Sequence, residues 1–154
     1  MSYDKEREEI RKELECIVYP LGHLVTYKYV VVCSFYHGKY VLSKHKIRDT
    51  WETQGGHIEV DETPIEAAKR ELLEESGVSD AEIFPVCDYY GYNHERHSNG
   101  QVFVAIVHSF SPLPDSEMKE VKIFDELPIN LTYPKVTPVL FQQAHGYLKG
   151  DHNK

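Results

Sequence analysis

"GGHIEVDETPIEAAKRELLEESGV", Gly55 to Val78, is the stretch on which the reading of this chain turns. Its acidic residues (Glu59, Asp61, Glu62, Glu66, Glu71, Glu74 and Glu75) are set against only Lys69 and Arg70. A solvated helix face would interleave lysine with glutamate to form favourable i,i+4 pairs. Here Glu71, Glu74 and Glu75 crowd together. Either they face water and repel one another, or something positive that is not a side chain sits among them. The helix itself is well signalled. Thr63 suits the N-cap, Pro64 the first helical position, and Glu66 completes a Thr-x-x-Glu capping box. Gly77 suits the C-terminal cap. These signals predict a helix over residues 64–76. At ~100° per residue, Ile65, Ala68 and Leu72 share one arc, which should face a sheet. The three glutamates fall on the adjacent arc, with the small Ala67 in its middle.

Working outward, residues 3–16 read as an amphipathic helix, with Ile10, Leu14 and Ile17 at helical spacing. Tyr27–Phe35 reads as a buried strand, His37-Gly38 as a turn, and Lys39–Ser43 as the returning strand of a hairpin. Lys44–Thr50 reads as a polar loop and His57–Val60 as a short strand. Further strands are expected at about 81–92, 101–110 and 118–124. A last helix should open at Pro134, run to about Leu148, and be interrupted near Thr137-Pro138. This pattern is one mixed α/β domain over residues 1–154, with its core at about 25–148.

The chain has 154 residues, 41% hydrophobic and 27% charged, as expected of a globular protein. Its formal net charge of −8 argues against a surface for long nucleic acids. A small phosphorylated ligand is not excluded, because a metal ion can bridge two anions. The N-terminal MSYDKEREEIRKELE is highly charged and unlike a signal peptide. No apolar run is long enough to span a membrane. Cys16, Cys33 and Cys87 form no C-x-x-C pair and read as reduced thiols, so a cytoplasmic location is expected.

A crowd of carboxylates with no soft ligand suits a hard divalent cation, Mg²⁺ or Mn²⁺ rather than Zn²⁺. The full pattern is more specific. Gly56, Glu62, and then Arg70-Glu71-Leu72-x-Glu74-Glu75-x-Gly77-Val78 fill every defined position of the Nudix box. The chain resembles a Nudix hydrolase of the MutT-like kind, over Gly56–Val78 by signature and over about residues 25–148 by element order. The resemblance implies an α/β/α sandwich with a mixed sheet, and hydrolysis of a diphosphate linkage in a nucleoside diphosphate derivative. It implies Glu74 and Glu75 as central metal ligands, Glu71 as metal ligand or general base, and the Gly56 carbonyl as a further ligand. Arg70 would pair with the acidic side chains, and Glu62 would support the loop or bind metal through water. Many members draw one more carboxylate from beyond the box; Glu117 and Glu120 are the candidates, Glu117 preferred. Two positions depart from common family patterns. Gln54 stands where many members have proline. Tyr133-Pro134-Lys135-Val136 lacks the base-reading asparagine of MutT-type enzymes, so oxidised-guanine specificity is not implied.

Residues for the rest of a nucleotide are less marked. Tyr90 and Tyr92 could stack on a base and Arg96 could meet a phosphate, or all three could be ordinary strand and loop residues. Trp51 precedes the Gly-Gly loop closely enough to wall a pocket, though tryptophan is more often a packing residue. Arg48, with Lys44, His45 and Lys46, makes a local basic patch that could attract phosphate. The expected function is Mg²⁺- or Mn²⁺-dependent hydrolysis of a small nucleotide. A nucleoside triphosphate giving monophosphate and pyrophosphate leads a sugar diphosphate or a dinucleotide. The competing possibility is a nucleotide-binding domain without catalysis, which would usually have lost box carboxylates. Either a monomer or a homodimer is compatible with the sequence.

Overall fold

The computed structural model describes residues 2–150; Met1 and 151–154, which the expected domain includes, lie outside the described residues. In chain order the elements are α1 (Ser2–Glu13), β1 (Glu15–Pro20), β2 (Tyr29–Tyr36), β3 (Lys39–His45), β4 (Trp51–Glu52) and β5 (Gln54–His57). They continue with α2 (Pro64–Ser76), β6 (Asp80–Tyr92), β7 (His97–Ser109), β8 (Met118–Phe124) and α3 (Thr137–Leu148). Together they make the α/β sandwich expected of the sequence.

The strands form one eight-stranded sheet whose main path runs β1-β6-β7-β2-β3-β4, with β5 on β2 and β8 on β3. β2 lies parallel to β7 and antiparallel to its other neighbours, so the sheet is mixed. Alternation along the buried strands sends side chains to two cores. Val30 and Val32 pack with Phe103, Ala105, Ala68 and Leu72 under α2. Cys33 and Phe35 face the other way, against Leu140, Phe141 and Ala144 of α3. Burial drives the Cys87 thiol up to about 12 and the Cys16 thiol up to about 11, so neither is a ready nucleophile.

One departure from regularity positions the site. β2 pairs with β5 along its first half, Tyr29–Val32, and with β3 only from Ser34 onward. β3 in turn carries β4 at its far end, through Ser43↔Glu52 and Lys44↔Trp51. The sheet therefore parts between β5 and β4, and α2 ends over the gap.

Several boundaries differ from expectation. The N-terminal helix stops at Glu13, because Cys16, Ile17 and Val18 pair with Gly91, Tyr90 and Tyr89 of β6. Ile17 fits the helical spacing, yet sheet pairing wins. The short strand lies at Gln54–His57 instead of His57–Val60, and Val60 is almost fully exposed. Within the expected polar loop region, His45 belongs to β3 and is buried. β7 begins at His97, four residues earlier than read, because its hairpin with β6 keeps register to Tyr92↔His97. The last helix starts at Thr137: Pro138 lies in its first turn, where proline fits, so it opens the helix and does not interrupt it.

Candidate active site

α2 is fixed at both ends by local chemistry. Thr63 and Glu66 form the reciprocal capping box, and Gly77 closes the helix in the left-handed region at φ 76°. A side chain at Gly77 would also collide with the Ser111 carbonyl, so the position needs glycine. The buried residues of α2 include Ala67, Ala68 and Leu72, but also Glu71 and Glu75. Two of the three crowded carboxylates are thus not solvated: Glu71 and Glu75 are each 8% exposed. Glu74 is about half exposed.

Those two carboxylates point at β5. Glu75 Oε1 accepts the Gly55 N–H at 2.9 Å. Glu71 lies against Gly56 so closely that a Cβ there would land on its carboxylate. A side chain at Gly56 would therefore force the Glu71 carboxylate to move. Arg70 straps the other side of the cluster. Its Nε donates to Glu62 Oε2 at 2.7 Å, its Nη1 to Glu71 Oε1 at 2.7 Å, and its Nη2 to the His57 carbonyl at 3.0 Å. These bonds hold the Glu62 carboxyl down to about 2 and raise Arg70 further above its ordinary value.

Beneath the cluster runs a buried polar rod. Ser34 Oγ donates to Gln54 Oε1 at 2.7 Å, Gln54 Nε2 donates to Ser43 Oγ at 2.9 Å, and Ser43 Oγ donates to the Glu75 carbonyl at 2.7 Å. Gln54, Ser34 and Ser43 are fully buried. The glutamine that stands where proline is common thus ties three strands to the last turn of α2.

Electrostatically the site is short of positive charge. Burial drives the Glu75 carboxyl up to about 9, against the pull of the Gly55 N–H; Glu71, Glu52 and Glu117 push it further. Burial also raises Glu71 to about 7, opposed by Arg70 and reinforced by Glu74 and Glu117. The donors on hand are the carboxylates of Glu71, Glu74 and Glu75 and the Gly56 carbonyl. All are oxygen, which fits a hard divalent cation and would neutralise the buried pair. Among the described residues no three His, Cys, Asp or Glu side chains already converge as a metal-binding group, and Arg70 holds one oxygen of Glu71.

Glu117 stands at the entry to β8, mostly exposed, with its Oε2 3.6 Å from His45 Nε2. His45 Nδ1 accepts the Ile47 N–H at 3.1 Å and the Arg48 N–H at 3.3 Å, which leaves the ring proton on Nε2, facing Glu117. Glu120 is exposed on β8, opposite Lys44. Arg48 Nη1 donates to Glu52 Oε1 at 3.1 Å. Trp51 is buried, its ring edge-on to Phe124 at 4.9 Å, with the Lys44 ammonium 5.2 Å from its centroid. It is a core side chain with little surface left for a ligand. Tyr90 stacks with both Tyr92 and His97, and the two tyrosines line an open recess with Ile17, Asn93 and Arg96. The structure does not bring them to the acidic cluster: from β5 to β6 the sheet steps through β2 and β7, about 14 Å at ~4.8 Å per strand. Sequence reading passed over Glu52, which is buried, bonded to Arg48 and Thr132, and within field range of Glu75. No local signal marks it.

Comparison with known proteins finds relatives by sequence and by fold. An RNA pyrophosphohydrolase from Sulfurovum sp. (strain NBC37-1) is 34% identical over 83 residues, 52% of this chain and 49% of that protein. The phosphatase NudJ of Escherichia coli (strain K12) is 46% identical over 44 residues, 27% of this chain and 29% of that protein. The chain therefore matches half or less of the length of these relatives. Among solved structures, the Bacillus subtilis pyrophosphohydrolase BsRppH superposes with a TM-score of 0.70 at 23% identity, covering 87% of this chain and 90% of that one. The model of the NUDIX domain matches residues 26–130, which include the parted sheet, the capped helix and its buried glutamates; the chain belongs to the NUDIX domain family.

Proposed function

We propose that this protein is a divalent-metal-dependent hydrolase of a diphosphate linkage in a nucleoside diphosphate derivative. A nucleoside triphosphate, cleaved to monophosphate and pyrophosphate, is the leading substrate class. The observation that carries the reading is the pair of buried carboxylates, Glu71 and Glu75, set against Gly55-Gly56, with Arg70, shared with Glu62, as the cation bonded to Glu71 and a backbone N–H as the partner of Glu75. Bound there, Mg²⁺ or Mn²⁺ would grip a diphosphate and make a water more acidic. Glu71, oriented by Arg70, is the side chain suited to accept a proton. Glu75 is fixed at carboxylate and backbone alike, by Gly55 and Ser43. Glu74 and Glu117 supply further charge from the open side.

The test is a panel of triphosphates, sugar diphosphates and dinucleotides assayed with Mg²⁺, followed by hydrolysis in ¹⁸O-water. Label should appear on one phosphorus-containing product and never on ribose carbon. Label on carbon, or a trapped phosphoenzyme, would refute attack of water on phosphorus. Silence across the whole panel would return the chain to the class of binding domains. The likeness to the Sulfurovum RNA pyrophosphohydrolase favours a second reading, a short RNA as the carrier of the diphosphate linkage, which the same assay tests by adding that substrate.

A metal effect on the fold follows. In the metal-free protein Glu71 and Glu75 bind protons more tightly folded than unfolded, where a glutamate titrates at the ordinary value of 4.5. Their contribution to stability is full below that value and is lost as pH rises through about 7 and about 9. A cation needs the deprotonated carboxylates and binds only the native arrangement. The gain in Tm from millimolar Mg²⁺ over chelator, at matched ionic strength, should therefore grow between pH 6 and pH 9. A gain that is absent, or that shrinks with pH, contradicts a metal at this cluster.

A further inference from the structure

The acidic cluster makes no use of the aromatic residues at the end of the β6–β7 hairpin. Alternation along β6 decides where they go. Tyr89 packs in the core with Leu140 and Phe141 of α3. Tyr90 and Tyr92 therefore project from the opposite face of the sheet, the one on which α2 lies. α2 rests there on β2, β3 and β5, while Tyr90 and Tyr92 stay half-buried and His97 exposed. Tyr92 pairs with His97 across the hairpin, and Ile17 of β1 pairs with Tyr90 from the other side. The Tyr90 ring lies 6.2 Å from that of Tyr92 at 23°, and 5.7 Å from that of His97 at 21°. Both neighbours are thus nearly parallel to Tyr90, and Ile17, 43% exposed, extends the apolar floor. The loop that closes the hairpin is a fixed turn. Asn93 Oδ1 accepts the Glu95 N–H at 2.9 Å and the Arg96 N–H at 2.7 Å, and the Asn93 N–H donates to the Arg96 carbonyl at 2.9 Å. Glu95 and Arg96 stand at the rim of the recess that the rings line. Among the described residues neither side chain is held in an ion pair.

We propose that this recess binds a nucleobase, at a site separate from the glutamates. The rim sets a guanidinium donor beside a carboxylate acceptor. A phosphate would be repelled by Glu95, and a purely apolar ligand would leave both groups idle. A base answers every part: its flat face stacks on the rings, its ring nitrogens and carbonyls accept from Arg96, and its N–H groups donate to Glu95. Two sources carry that chemistry: a further base of the substrate itself, in a dinucleotide or a short RNA, or a second nucleotide. The recess and the glutamate helix share one face of the sheet, with β2 and β7 between β5 and β6. Binding of a base here does not depend on the hydrolase reading above.

The test titrates adenosine, guanosine, cytidine and uridine, none of which carries phosphate, into ¹⁵N-labelled protein with a chelator present. The amide signals of residues 90–97 are followed by NMR. At least one nucleoside should shift them to saturation. Tyr92→Leu should weaken that nucleoside by about tenfold or more, as loss of a stacking ring does, and Tyr92→Phe, which keeps the ring, should bind it as wild type does. Arg96→Gln changes an exposed side chain and leaves the sheet alone; it too should weaken the preferred nucleoside, and it decides the matter if Tyr92→Leu fails to fold. No shift with any nucleoside, or equal binding by wild type and Tyr92→Leu, would overturn the site. Steady-state assays then separate the sources. If the base belongs to the substrate, Tyr92→Leu raises KM for a dinucleotide or a short RNA and spares a nucleoside triphosphate. If it belongs to a second nucleotide, the nucleoside that binds changes triphosphate turnover in wild type and not in Tyr92→Leu. If nothing is cleaved, the hydrolase reading falls and the titration still decides the base site.

Discussion

Replacing Glu75 with glutamine should lower turnover by at least about 10²-fold while leaving the metal-free protein no less stable than wild type. The two halves of this result have one cause. Glu75 is 8% exposed and its carboxyl is driven up to about 9, so the metal-free fold already holds it neutral across most of the useful pH range. Glutamine has the same shape, and its amide oxygen can still accept the Gly55 N–H that Glu75 accepts at 2.9 Å. What it cannot supply is a negative charge for a cation. The variant should therefore fold, and it should lose the Tm gain from Mg²⁺ and most of the chemistry. At pH 9, where wild type begins to charge an unmatched buried carboxylate, the metal-free variant should be the more stable of the two. Turnover at the wild-type rate would remove Glu75 from the site. A variant that failed to fold would show that the carboxylate is needed by the scaffold itself.

Leu72→Ala should act in the opposite sense, on the scaffold and not the charge. Leu72 is 1% exposed and packs under α2 against Val30, Val32 and Phe103. Truncation leaves a cavity between helix and sheet and should cost ~2–5 kcal/mol. For a domain of this size that is a fall in Tm on the order of 10 °C. Urea melts with and without Mg²⁺ would measure it. An unchanged midpoint would mean that α2 does not rest on the sheet through this residue. The neighbouring Glu71 makes the comparison sharp: adjacent positions on one helix, one carrying chemistry and the other carrying the fold.

The helix holding both was readable to the residue, from Pro64 to Ser76. Its stop signals are local: a capping box, a proline in the first turn, and a glycine that must be left-handed. The strands around it were legible where they were long and rich in β-branched residues. They were misplaced where pairing overrode local pattern. Ile17 sits at helical spacing from Ile10 and Leu14, yet opposite Tyr90 it is a strand residue. Gln54-Gly55-Gly56 has poor strand propensity and becomes one because Val30–Val32 lie alongside. The acidic cluster was visible in the sequence, but the burial of Glu71 and Glu75 was not, since it depends on β5 coming to meet them. Tyr90, Tyr92 and Arg96 looked suited to a ligand by type alone, and the hairpin of β6 and β7 places them across β2 and β7 from the glutamates. Glu52 gave no signal, because its partners Arg48 and Thr132 come to it from the loop before β4 and from a segment eighty residues away.

The rod from Ser34 through Gln54 and Ser43 to the Glu75 carbonyl has a kinetic consequence. Because each of its members is buried and bonded to the next, opening any one of β2, β3, β5 or the end of α2 strands the polar groups of the others. These segments should therefore unlock as a single cooperative unit. In hydrogen–deuterium exchange the Gly55 amide should be among the slowest in the chain, released only when the whole domain opens. α1, which meets the molecule at its rim, can exchange early and alone. Protection would then divide the protein into a slow block that holds the glutamates and a fast α1.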